Sequence, residues 1–318
     1  MTLKALKQAY AQGKLPKAEY IEQMMAHHLL LFEYAEFLRD TGISRVELTD
    51  GAVVMSTREG GLKFQCDPED RRLVPLEILN FGDFEAAELR TVLAFVEPGA
   101  TVFDIGANLG WYSIQLAKRV KDVRLFAFEP LPKTFRALEQ HLALNGVTQV
   151  KTARMGFFDK EGELTFYFDP QGSGNASAAD LTGLSRVERV VCRVARVDDY
   201  ALENGVTVDF IKCDVEGAEL PVFKGAVETL RRDRPVVFVE MLRKWSAKFN
   251  YHPNETLALF AGLGYHCYAI RDGTLVPFKS MDETSVETNF FFVDPDRHRA
   301  ALERALAAGA SWSSSERR

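Results

Sequence analysis

The chain has 318 residues, 47% of them hydrophobic and 26% charged, which suits one packed α/β domain of about 220 residues plus an appendage and excludes fibrous or disordered classes. A net charge of −6 argues against a nucleic-acid partner, because holding phosphates calls for a basic face. No apolar run reaches the ~18–20 residues of a membrane span and the first residues lack the order of a secretion signal, so the expectation is a cytoplasmic protein with no membrane span.

Residues 1–42 are rich in Ala, Lys, Glu, Leu and Met. From Lys17 the apolar positions Ile21, Met24, Met25, Leu31, Phe32, Ala35 and Leu38 recur near helical spacing. One or two helices are expected there, with a Met and aromatic stripe suited to packing or to a homodimer surface. Over 43–80 the texture changes to short alternating runs punctuated by Asp50-Gly51 and Gly60-Gly61, which predicts a small β-meander. The main domain is expected over 81–300, followed by a helix end and polar tail over 301–318. Its opening, NFGDFEAAEL, reads as a helix start with Asp83 as cap and Glu85 in the first turn.

At 101–118, TVFDIGANLGWYSIQLAK, an apolar run passes through Asp104 and Gly106-x-Asn108-x-Gly110 into a helical segment. In a parallel sheet covered on both faces, a strand is nearly all apolar and its carboxyl end opens onto a ligand crevice. Asp104, Gly106 and Gly110 are therefore expected to line a site. The glycines allow close backbone approach, and the helix start offers free N–H groups. A second apolar run ends at Glu129, at about the right distance to accept ribose hydroxyls. The turn is not G-x-G-x-x-G, so the ligand reads as a nucleoside without a pyrophosphate. Segment 131–146 predicts a helix stopped by Asn145-Gly146, and 150–154 a third strand. The small-residue insert 169–183 is a candidate lid, and Asp198 a helix cap. A fourth strand over 209–214 ends in Asp214 and Glu216, and a fifth over 235–240 ends in Glu240. Acids at such strand ends are costly to leave without a task. Segments 265–271 and 289–293 are expected to pair as closing strands, with His266 packed in the core. Cys66, Cys192, Cys213 and Cys267 form no CxxC pair and read as reduced thiols.

DIGANLG, FEP and IKCDVEGAELPVFKGA, in this order and spacing, resemble the FkbM family of S-adenosylmethionine-dependent methyltransferases. The resemblance implies a class I methyltransferase (Rossmann-like) fold, a seven-stranded sheet with helices on both faces and an antiparallel last strand. It implies S-adenosyl-L-methionine as cofactor and O-methylation of a saccharide, glycoconjugate or other natural-product hydroxyl, with a small-molecule or glycan acceptor. It places adenine near Gly156 and Phe157, though a core role suits that phenylalanine equally. Phe81, Phe84 and Glu85 become candidates for the methionine end of the cofactor, with Asn108 and Asp214 also in its pocket. Asp214, Glu216, Glu240 and His252 are the candidate bases for an alcohol that barely ionises at neutral pH. A divalent Mg²⁺ held by Asp214 and Glu240, with Asn289 as third ligand, is a less favoured option. Two alternatives stay open, an NAD(P)-dependent oxidoreductase on a Rossmann sheet and a non-catalytic scaffold.

Overall fold

The computed structural model describes residues 1–169, 172–178 and 188–313. Helices α1 (Leu3–Ala11) and α2 (Lys17–Phe37) precede the meander. α2 buries none of its residues, and Leu29, Leu30, Leu31 and Phe32 are all exposed. Four consecutive apolar residues run round a helix rather than along one face, so a single packing surface cannot cover them. Strands β1 (Ile43–Thr49), β2 (Ala52–Thr57) and β3 (Lys63–Cys66) form an antiparallel three-stranded sheet. Helix α3 (Val74–Phe81) then leads to α4 (Ala86–Phe95). Asp83 does not cap α4: the N-cap is Glu85, in the left-handed conformation at φ +49°, and Asp83 is exposed.

The main sheet begins with β4 (Thr101–Ile105), α5 (Trp111–Arg119), β5 (Arg124–Phe128), α6 (Pro132–Leu144) and β6 (Lys151–Ala153). The chain then builds a separate four-stranded sheet in the order β7-β10-β8-β9, from β7 (Gly156–Phe157), β8 (Gly162–Asp169), β9 (Gly172–Ser177) and β10 (Glu188–Ala195). Of the insert suggested as a lid, residues 170, 171 and 179–183 lie outside the described residues, and 172–177 are β9. The return runs through α7 (Val197–Glu203), β11 (Phe210–Cys213), α8 (Glu219–Lys224), α9 (Val227–Asp233), β12 (Val236–Glu240), α10 (Arg243–Ser246) and α11 (Pro253–Gly262). It closes with β13 (His266–Arg271), β14 (Thr274–Pro277), β15 (Asn289–Val293) and α12 (Arg299–Ser313).

The sheet order is β14-β13-β15-β12-β11-β4-β5-β6, with β15 antiparallel to both neighbours. This is the class I methyltransferase sheet, but with eight strands rather than seven. The added strand arises at Asp272-Gly273, both at positive φ, where a tight hairpin folds β14 back onto the edge of β13. Val102, Leu125 and Phe238 face one hydrophobic cluster, while Phe103, Phe126 and Val239 face another. The strands read as continuous apolar runs because both faces are covered. β4 pairs with β5 on one side and β11 on the other, so the order reverses there and a crevice opens beyond the carboxyl ends of β4 and β11.

Two further expectations fail for local reasons. His266, the first residue of β13, is exposed rather than packed in the core. Asp198 does not cap its own helix, whose N-cap is Arg196; instead it accepts the N–H groups of Thr229 (2.7 Å) and Glu228 (3.2 Å) at the start of α9. Asp198→Ala is therefore expected to cost about 1–2 kcal/mol in urea unfolding, by stripping the cap from a neighbouring helix rather than fraying α7. The four cysteines are free, Cys192 and Cys213 buried and the others half-buried. Among the described residues no helix is long and apolar enough to cross a membrane.

Candidate active site

β4 ends at Ile105 and the chain turns through Gly106 at φ +72°. The Gly106 and Ala107 amides donate to the Phe128 carbonyl at 3.0 and 2.9 Å, tying the turn to the end of β5. A Cβ on Gly106 would lie 1.8 Å from the Asp214 carbonyl oxygen, so the backbones leaving β4 and β11 are in direct contact. Gly110, at φ +88°, is the N-cap of α5, and a Cβ there would meet Leu138 at 2.7 Å. Gly106 is needed for fit as well as for dihedral freedom, whereas at Gly110 the obstruction is the end of the Leu138 side chain and the positive φ is the main demand.

Asp104 is completely buried beneath this turn and is not on the cleft wall. It accepts the Ser113 hydroxyl at 2.6 Å and lies 3.6 Å from the ammonium of Lys212. That lysine, which the sequence reading passed over, donates to the Gly106 carbonyl at 2.7 Å and lies 3.5 Å from Asp214. Burial works against its charge, but Asp214, Asp104 and Glu85 outweigh it and hold its pKa above the ordinary lysine value.

An open cleft of about 630 Å³, its solvent-filled mouth included, lies over the turn. Gly106, Asn108 and Glu129 form one wall, Gly156, Phe157 and Phe158 another, and Asp214 with Glu216 a third. Glu129 is buried and accepts the N–H groups of Asn108 at 3.1 Å and Leu131 at 3.0 Å. Burial nevertheless pushes its pKa up to about 7 against those donors. Phe157 borders the cleft while standing edge-on to Phe128 (4.7 Å) and Tyr200 (5.8 Å), so its ring is locked in the core. The Ser177 hydroxyl, at the end of β9, donates to the Glu216 carbonyl at 2.6 Å and brings the insert to the cleft edge.

Asp214, Glu216 and Glu240 offer carboxylate oxygens within 4.8 Å of one another, a spacing that could also hold a metal ion. Glu216 is at φ +52°, a left-handed conformation unusual for a side chain of its size. Burial, then Asp214, push its carboxyl up to about 9, and the same causes hold Glu240 well above the usual range. Glu85 accepts the Tyr112 hydroxyl at 2.6 Å and is pushed up to about 7, chiefly by burial. Behind the cluster, Glu219 accepts Gly217 N–H at 2.8 Å and the Tyr251 hydroxyl at 3.0 Å, a pairing that no sequence signal announced.

Several candidates are elsewhere. His252 is exposed and caps α11: its ring nitrogen Nδ1 accepts Asn254 N–H at 3.2 Å while Glu255 accepts its own amide, so a capping box uses the side chain. Asn289 stands opposite Glu240 across the β12–β15 pair, but its amide donates to Glu88 at 3.4 Å. Phe81 is 76% exposed, and Phe84 lies edge-on to Trp111 at 5.8 Å; neither lines the cleft.

The acids make a pH prediction. Glu85, Glu129 and Glu219 are each raised to about 7 and Glu216 to about 9, from an ordinary 4.5. A carboxyl whose pKa is higher folded than unfolded favours the fold while protonated, and that contribution fades as pH rises through the folded value. The ligand-free chain is expected to lose thermal stability as pH rises from 4.5 to about 9. A melting temperature rising over that window would mean that these acids are ionised in the folded chain.

Residues 104–267, just over half of the chain, match the methyltransferase FkbM domain. The chain is 28% identical over 230 residues to the AMB antimetabolite synthetase AmbE of Pseudomonas aeruginosa, a match covering 55% of this chain and 11% of that one. It is 26% identical over 161 residues to the 2-O-methyltransferase NoeI of Sinorhizobium fredii, covering 46% and 65%. It is also 26% identical over 158 residues to the 31-O-demethyl-FK506 methyltransferase FkbM of Streptomyces tacrolimicus, covering 41% and 60%. Each match thus spans less than two thirds of the relative's length.

Proposed function

We propose, since this chain belongs to the FkbM methyltransferase family, that it moves a methyl group from S-adenosylmethionine to a hydroxyl of a saccharide, glycoconjugate or other natural product. The observation that carries the reading is the gathering of Asp214, Glu216 and Glu240, with Glu85 near them, beside a cleft that Asp214 and Glu216 line and whose opposite wall holds Glu129. We read the cleft as the place of an adenosyl sulfonium. Glu129 is placed to accept ribose hydroxyls, Gly156 and Phe157 form an apolar wall for a base, and the acids answer a positive charge. Buried Asn108 Oδ1 and Glu216 Oε2 have no hydrogen-bond partner among the described residues, as expected of groups that meet a ligand. When bound, the sulfonium supplies an electrophilic methyl; the rest of the work belongs to the chain.

Asp104 and Lys212 hold the Gly106 turn and Asp214 in register from below. Burial and Asp214 hold the Glu240 carboxyl well above its usual range in the free chain, which favours its protonated form. A positive charge placed beside it favours release of that proton, leaving a carboxylate that can take the proton of an acceptor hydroxyl, a role worth roughly 10²–10⁴-fold. Glu216 shares the same environment, and Asp214 raises its carboxyl as it does that of Glu240. The hydroxyl as acceptor is supported by the names of two relatives, a 2-O-methyltransferase and the 31-O-demethyl-FK506 enzyme. Because Lys212 already stands 3.5 Å from Asp214, we read the trio as a proton-handling group rather than a Mg²⁺ site.

Calorimetry in buffers of different ionisation heat tests this. Both S-adenosylmethionine and S-adenosylhomocysteine are expected to bind, and the charged donor alone to expel protons from the cluster. Failure of both to bind would sink the reading. Glu240→Gln should retain homocysteine-product affinity and lose turnover, followed as a gain of one CH₂ on the acceptor by mass spectrometry.

A further inference from the structure

Asp214, Val215, Glu216 and Ala218 line the donor cleft, and the turn that carries them, with Glu216 at φ +52° and Gly217 at φ +102°, is gripped from behind. A Cβ on Gly217 would lie 2.8 Å from the Trp245 carbonyl, so the backbone of α10 rests directly on the turn. Further along the same segment, between α10 and α11, the buried Tyr251 hydroxyl reaches into it. The residues that follow Glu240 thus hold the turn of Asp214 and Glu216 at two points.

The Gly217 carbonyl precedes α8 without a helical partner, because the residue four along is Pro221, which has no N–H. Tyr251 supplies the missing donor at 2.8 Å, and its oxygen accepts the Leu220 N–H at 3.3 Å. Glu219 is 1% exposed and takes the Gly217 N–H at 2.8 Å through Oε1, while its Oε2 lies 3.0 Å from the same phenol. A tyrosine hydroxyl has one proton to give. With that proton on Gly217, the 3.0 Å contact is a hydrogen bond only if Glu219 carries a proton of its own and donates it to Tyr251. Were Glu219 ionised, the phenol would have to turn to the carboxylate and leave a buried carbonyl unpaired, at a cost comparable to a lost hydrogen bond. The groups that bear on Glu219 are Asp214 and Glu216 of the turn, the Cys213 thiol of β11 and the Tyr251 phenol, none of them a cation. Burial accordingly pushes its carboxyl up to about 7.

We propose that Tyr251 and a neutral Glu219 are positioning residues for methyl transfer: Glu219 donates to Tyr251, Tyr251 donates to the Gly217 carbonyl, and this relay fixes the 214–218 wall of the cleft against the segment that follows Glu240. The positioning role rests on the donor-cleft reading; the proton on Glu219 does not.

Infrared difference spectra of the unliganded whole chain, unmodified minus Glu219→Gln, test the proton directly. The carbonyl band of a neutral carboxylic acid is expected at pH 6 and its loss by pH 9. An amide keeps one donor and one acceptor, so Glu219→Gln preserves the relay at both pH values. Calorimetry with S-adenosylhomocysteine tests the positioning. Glu219→Gln should match the unmodified chain at pH 6 and bind about tenfold more tightly than it at pH 9, the scale of one net hydrogen bond. The ratio is the readout, because Glu85, Glu129 and Glu216 titrate in both chains. Tyr251→Phe should bind about tenfold more weakly than Glu219→Gln at either pH, but the ratio stands without it. Absence of the acid band at pH 6, a ratio that stays at one, or a Glu219→Gln chain that binds more weakly at pH 6 or fails to fold would overturn the proposal. If the unmodified chain does not bind S-adenosylhomocysteine, the donor-cleft reading falls and the positioning role with it, while the infrared band still decides the state of Glu219.

Discussion

Gly106→Ala is expected to destroy S-adenosylhomocysteine binding and to destabilise the chain by more than ~3 kcal/mol, the range of severe core and backbone lesions. Its Cβ would sit 1.8 Å from the Asp214 carbonyl oxygen and 2.9 Å from the carbonyl carbon. No rotamer change relieves that contact, because the obstructing atoms are backbone at the end of β11. The φ of +72° adds about 1–2 kcal/mol for a residue with a Cβ. Relief would mean parting β4 from β11, whose register runs from Val102↔Phe210 to Ile105↔Cys213 through the middle of the sheet. Gly205→Ala is the control: its φ is +59°, but nothing lies within 4 Å of the added carbon, so only the dihedral cost of about 1–2 kcal/mol remains. Urea unfolding and calorimetry on both variants check the difference. A Gly106→Ala chain as stable as Gly205→Ala would mean that the two loops have room to separate.

Lys212→Met should cost about 3–5 kcal/mol, the penalty for removing one partner of a buried ion pair. The methionine keeps most of the side-chain volume, so cavity formation contributes little. The loss comes from Asp104, which would keep its Ser113 hydrogen bond but face the sheet interior without the ammonium 3.6 Å away. The loss should grow with pH. Removing a buried cation leaves the neighbouring buried acids without an opposite charge, and protonation at lower pH relieves that cost. Unfolding at pH 5 and pH 8 is the measurement, and a loss independent of pH would assign the effect to packing. Adding Asp104→Asn should recover much of the deficit, since no unpaired charge is then buried.

The legible parts of the fold are those where one physical demand writes a long pattern. β4, β5, β11 and β12 are covered on both faces and so appear as apolar runs, and the turn at Gly106 needs a residue without a Cβ. β14 depends on a two-residue hairpin and four residues of edge strand, too little to stand out from a loop. Asp214, Glu216 and Glu240 could be gathered from sequence because each follows or ends an apolar run. Lys212 could have been added on the same ground, since an ammonium between Ile211 and Cys213 in a buried strand must find a counter-charge. Tyr251 and Glu219 are 32 positions apart, and no local period links them. Asp198 departs from expectation because a cap residue is visible in sequence while the helix it serves depends on what packs beside it, whereas His252 caps the helix that directly follows it through a ring nitrogen, a role that its residue type does not announce.

The surplus of acids beside the cleft also bears on how a catalytic cycle would end. After transfer, a spent donor is a thioether with no charge on sulfur, and in the proposed mechanism Glu240 then holds the acceptor's proton, so the buried glutamates no longer face a cation. In alkaline medium the repulsion among these acids discriminates in favour of incoming positive charge. Acidification favours the protonated form of Glu85, Glu216 and Glu240, which tolerates a neutral sulfur. If the proposed donor site holds, competition between fresh and exhausted cofactor would therefore tilt toward the exhausted one as the surroundings acidify.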